Sequence, residues 1–189
     1  MFQMARAVLC AAAIGWVALQ AAATTVRPML LDEIVDDAAL AFHGTCIANR
    51  VEIDPQTQLV VTLTTFEVRD VIKGSVSSTH VIKQIGGTLP GGESGMIVHG
   101  VPRFAVGQEV VLFLAGTSKL GFSSPVGLTQ GRYEVSAGVD GKVVNLGRPL
   151  RAMAARMNKL PDAVGDPASR EVGLPEFKAM IRAHVEARQ

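Results

Sequence analysis

Residues 59–114 constrain the fold more than any other stretch of this chain. They open with a long β-forming run, LVVTLTTFEVRDVIKG, continue through a second, HVIKQIGG, cross a glycine-rich segment and close on VGQEVVLFLAG. β-Branched and aromatic residues at this density suit pleated, half-buried strands. The closing VVLFL is apolar without alternation, the mark of a strand buried on both faces. Within the first run Leu59, Val61 and Leu63 share one parity, whereas Phe66 and Val68 share the other. A strand whose buried face flips midway carries a bulge or a sharp coil, expected here at Thr64-Thr65. Such a strand can serve two sheet faces at once, which is how a small barrel turns its corner.

The flanking segments extend the same pattern. Residues 38–53 read as a first strand, with Gly44 at a bulge or close approach, and Asp54-Pro55-Gln56-Thr57 as the turn of a hairpin into the long run. Residues 81–85 read as a third strand and residues 86–100, with six glycines and Pro90, as a long irregular loop. Further strands are expected at 110–114, 123–128, 132–136 and 142–146, the last two joined by the Gly138-Val139-Asp140-Gly141 turn. Two helices bracket these strands. Residues 28–37 place Leu30, Leu31, Ile34 and Val35 at helical spacing, with Asp32 and Glu33 near the favourable end of the dipole and Asp36 and Asp37 at the unfavourable one. Residues 174–189 form an amphipathic C-terminal helix, with Pro175 in its first turn and Phe177, Met180, Ile181 and Val185 in one stripe. The intervening residues 148–173, punctuated by Pro161, Gly165, Pro167 and Gly173, read as a linker.

The N-terminus reads as an export signal. Arg6 precedes a short apolar run, AVLCAAAIGWVAL, and the small residues after Gln20 suit a signal peptidase, so cleavage is expected after Ala23. The loss of Arg6 from 18 basic residues leaves 17 against 17 acidic. A neutral chain without a basic tract argues against electrostatic capture of nucleic acid, and no stable membrane insertion is expected after cleavage. Cys46 is then the one remaining thiol, in an oxidising periplasmic or secreted setting. It is read either as a small buried hydrophobe or as the site of an intermolecular disulfide.

Three pieces, FEVRDVIKG, VPRFAVGQEVVLFL and VGLTQGRYEV, resemble exported bacterial domains similar to the netrin-like and tissue-inhibitor-of-metalloproteinases group. The shared features are a strand ending in KG, a PxFxxGxxxxxFL stretch and a QGxxxV strand. The resemblance covers residues 37–146 and implies a mainly β fold, a small OB-like five-stranded barrel over residues 24–147 with the two helices appended. Metalloproteinase inhibitors of that group chelate zinc through a disulfide-locked N-terminal cysteine. A chain starting at Thr24 has neither feature, so no functional residue is carried over.

The residues suggest little chemistry. There is no GxSxG elbow or phosphate-binding loop; Ser94 in GGESGM lacks a following helix; and His43, His80, His99 and His184 are scattered. No metal site is expected, because His43 and Cys46, at an odd spacing on one strand, project to opposite faces. No cofactor is implied. OB-type barrels recognise ligands with a strand face and its loops, which directs attention to residues 86–104 and 119–125. His99 and Arg103 are the candidate polar contacts there, and Phe104 is either an apolar anchor or core. The reading is an exported, non-catalytic domain that binds another envelope or secreted protein, a protease being one candidate. A secreted hydrolase and a structural envelope component dimerised through Cys46 are the alternatives.

Overall fold

In the computed structural model the described residues are 27–92, 95–148, 152 and 169–188. The expected signal segment 1–23, Ser94 and most of the expected linker lie outside them. The chain is mainly β: α1 (Leu31–Asp37), β1 (Leu40–Ile53), β2 (Val60–Lys73), β3 (Thr79–Ile85), β4 (Gly87–Thr88), β5 (Gly95–Met96), β6 (Glu109–Leu114), β7 (Arg132–Gly138), β8 (Gly141–Asn145), β9 (Glu171–Gly173) and α2 (Leu174–Glu186). Seven strands form one antiparallel sheet in the order β3-β2-β1-β6-β7-β8-β9, and β4 and β5 pair separately inside the glycine-rich loop. Among the described residues no helix is long and apolar enough to cross a membrane.

The long β1 is the hinge of the sheet. From Ala41 to Ile53 it pairs with β2, apart from the bulged Ile47, while only Leu40 to Thr45 pair with β6. Register slips fall between Ala41 and Phe42, His43 and Gly44, and Cys46 and Ala48. Each slip adds local coil to an already twisted strand. The change of phase expected at Thr64-Thr65 sits beside the third slip, between Thr65 and Phe66, but the extra residue is Ile47 on the partner strand. Gly44 belongs to the second slip, where a Cβ would lie 2.5 Å from the Glu67 carbonyl oxygen, so only glycine lets the two strands approach.

The sheet does not close into the expected five-stranded barrel. The segment after β6 runs back towards β3 but contributes only two isolated bridges, Lys83 with Phe122 and Leu114 with Pro125. Residues 123–128, read as a strand, are therefore not one. Pro125 has no N–H to extend the ladder, and Gly127 and Leu128 take φ of 59° and 63° in a turn. A closer contact follows at Gly131, whose Cβ would meet the Phe113 and Val126 backbones at 2.8 Å. The glycine of the QGxxxV motif is required by that backbone crossing. Its neighbour Gln130 accepts from the Met29 N–H at 2.7 Å and donates to the Arg27 carbonyl at 3.0 Å, tying the N-terminal segment to β7.

Each face of the sheet carries its own core. Strand β6 serves both: Val110, Leu112 and Leu114 pack with Phe42, Cys46, Phe66, Ile82 and Phe104 on one side, while Val111 and Phe113 pack beneath the helices on the other. This is the two-sided burial read from VVLFL. On the helix side Phe177, Met180 and Ile181 of α2 are buried, and the Phe177 ring lies 5.2 Å from Tyr133 and 6.5 Å from Phe113. The last residues of the segment read as linker, Glu171–Gly173, pair with β8 and deliver the chain directly into α2. Asp36, unfavourable at the end of α1, is met from the C-terminal end of α2 by the His184 ring at 3.0 Å and, just beyond that helix, by the Arg188 guanidinium at 3.0 Å. Lys73 of β2 donates to the carbonyls of Val35 and Asp36 at the same helix end.

Candidate functional site

The site is a cleft of about 170 Å³ on the side of the sheet away from the helices, between β1, β2, the end of β3 and the irregular segment 101–104. Alternation along β3 sends Ile82 and Gln84 to the same buried face, so a polar amide follows directly on an apolar core residue. Arg103 and Phe104, two of the residues singled out in the sequence, line this cleft together with Gln84, Asn49, Thr62 and Thr64. His99, the third, is exposed and is not part of the lining. Phe104 is 5% exposed, and its ring meets Phe66 edge-on at 5.0 Å, so it forms a wall continuous with the core. Its outer side is covered by the Arg132 guanidinium, 5.7 Å from the ring centre.

Most polar groups of the cleft are satisfied internally. Asn49 donates to the Phe104 carbonyl at 2.7 Å and accepts from the Thr64 hydroxyl at 2.7 Å, and the Thr62 hydroxyl donates to the Gly86 carbonyl at 2.6 Å. Gln84 differs: it is 4% exposed, and among the described residues its amide nitrogen has no hydrogen-bond partner. A buried donor left unmade costs on the order of 1–3 kcal/mol, so the position is anomalous unless something fills it. Neither Gln84 nor Asn49 stood out in the sequence. The only signal was a glutamine in phase with the buried Ile82.

Beside the cleft the loop carries β4 and β5, and the Val98 side chain and Met96 backbone press on Gly86. Ile97, between those two residues, is 78% exposed. A larger depression of about 420 Å³ lies elsewhere, over Tyr133, Arg132 and Asn145, but it extends to Arg148, where the described residues stop before 149. The smaller cleft is bounded on all sides by described residues and is lined by Gln84; the Tyr133 hydroxyl, on the lining of the larger depression, is likewise without a hydrogen-bond partner among the described residues.

Away from the cleft, on the helix side, Glu109 of β6 is held between His43 of β1, at 2.6 Å, and Lys142 of β8, at 2.7 Å. Burial pushes the His43 pKa below its ordinary value in spite of Glu109. Burial pushes Glu109 up, but hydrogen bonds from Lys142 and His43 outweigh it and leave its pKa lowered. The consistent description is a neutral imidazole donating its Nε2 proton to a carboxylate whose charge Lys142 balances. Cys46 faces the opposite core, 0% exposed, with burial pushing its thiol pKa up. His43 and Cys46 thus serve different faces of the sheet. Among the described residues no group of three or more His, Cys, Asp or Glu side chains could hold a metal ion.

No protein-family model, curated protein or solved structure matches the chain.

Proposed function

We propose that this chain is an exported, non-catalytic binding domain that recognises another envelope or secreted protein through residues 86–104. The observation that carries the reading is the coincidence of a solvent-facing apolar side chain, Ile97, with a part-polar cleft lined by Arg103 and Phe104. Exposed apolar groups rimmed by polar ones suit protein contacts. His43, hydrogen-bonded to Glu109, is buried beneath the helix side of the sheet, which supports the non-catalytic half of the reading.

An OB-like barrel related to the netrin-like group is the architectural half of the proposal. It is supported by β1 shared between β2 and β6 and by the bridges that carry residues 122–125 across the open side. The functional half is tested by affinity capture from envelope and secreted fractions, using the exported chain with a C-terminal tag and its Ile97→Asp variant. A protein captured stoichiometrically by the unaltered chain and lost with the variant supports the reading. Equal capture by both, or no capture, contradicts it.

A further inference from the structure

Inside that surface the cleft has a chemistry of its own. About 170 Å³ holds some five or six waters. That is below the roughly 300–1,000 Å³ of pockets that enclose drug-sized ligands, and it suits a single side chain inserted from a partner. Val51, Val101, Pro102 and Phe104 supply apolar wall for the methylenes of such a side chain. Gln84, a lining residue, carries a buried amide nitrogen that has no acceptor among the described residues. Arg103, on the same lining, is exposed, and among the described residues its guanidinium has no acidic partner. The other polar side chains present, Asn49, Thr62 and Thr64, are already matched to one another or to backbone carbonyls and offer no competing donor.

A group that enters must accept a hydrogen bond at Gln84 and gains most if it is negative near Arg103. We propose that the cleft receives one acidic side chain of the protein partner, its carboxylate accepting from Gln84 and pairing with Arg103. The proposal rests on the protein-binding reading above. Desolvating a carboxylate is costly unless hydrogen bonds and charge replace water, and the cleft provides both.

The test is an NMR titration of the ¹⁵N-labelled full chain with N-acetyl-glutamate N-methylamide and its glutamine counterpart, followed at the Gln84 side-chain NH₂ resonances. The acidic probe is expected to shift them saturably, and the neutral probe to bind about tenfold more weakly, as for hydrogen bonds that lose their charge. Arg103→Ala should weaken the acidic probe by about two- to fivefold, the range of a solvent-accessible ion pair. Gln84→Leu should abolish the saturable shifts at Thr62 and Phe104 backbone amides. If that variant does not fold, the exposed Arg103→Ala carries the comparison. Equal response to both probes overturns the proposal, and so does no response to either with only water contacts at the Gln84 amide. Capture of the partner by Gln84→Leu and Arg103→Ala as efficiently as by the unaltered chain would also overturn it while leaving the protein-binding reading intact. Selective titration by the acidic probe without any captured protein would instead remove that reading and leave the cleft's acidic preference standing.

Discussion

His43 lies with its Nε2 2.6 Å from the Glu109 carboxylate. Its folded-state pKa is depressed, chiefly by burial, so on acidification the unfolded chain takes up the imidazole proton first, near pH 6.5. The unfolded state then binds more protons, and stability falls as pH drops from that value towards the folded pKa. His80, lowered by burial on the Phe42 ring, adds a contribution of the same sign. The expected outcome is a urea midpoint that declines between about pH 7 and pH 5, less steeply in His43→Gln and least in the double variant with His80→Gln. An unchanged slope would mean that His43 is not held neutral. Cys46 gives a second test at this scale. Its thiol is buried and its pKa raised, so peptide mapping after iodoacetamide treatment should find Cys46 unmodified in the native chain and fully modified in denaturant. Labelling in the native state would place the thiol at an accessible surface and favour its use in a disulfide.

Among the elements, α2 shows how a sequence stripe becomes a structural seal. Phe177, Met180 and Ile181 project from one side of a 13-residue helix and cover β7, β8 and α1, while Lys178 and Arg182 reach Asp70 of β2 at 2.6 Å each. The apolar contacts carry the larger share, since partly exposed ion pairs contribute roughly 0.2–1 kcal/mol apiece. Phe177→Ala should therefore lower unfolding free energy by about 3–5 kcal/mol in a denaturant titration, with Asp70→Asn costing much less. Comparable losses from the two variants would show that charge, not burial, holds the helix. The helix itself was legible because its period and its Pro175 are local signals. Strand β9, only three residues long and lying within a Pro- and Gly-rich stretch, had no period to read, and its pairing with β8 is a tertiary event.

The molecule as a whole is a coiled antiparallel sheet with a helix-covered outer core, an aromatic inner core and a cleft at the edge of the latter. Its main strands could be read from the sequence because alternation, the Asp54–Thr57 turn and the unbroken VVLFL run depend on neighbours in the chain. That the sheet stays open where a barrel was expected could not, because closure needs residues 122–128 to pair with β3, and Pro125 and the left-handed Gly127 and Leu128 limit that segment to single bridges. Arg103 and Phe104 were accessible to sequence reasoning as loop residues. Their association with Gln84 and Asn49 was not, since these positions come from three separate segments joined only by the sheet. Recognition of a protein through residues 86–104, as proposed above, is tested most sharply by site-specific photocrosslinking in cells that express the chain. A benzophenone side chain would be placed at Ile97, and as a control at Val139, which is fully exposed on the β7–β8 turn outside the cleft. A discrete heavier adduct with another protein is expected from position 97 and none from position 139. Adducts from 139 alone, or from neither position, would contradict it.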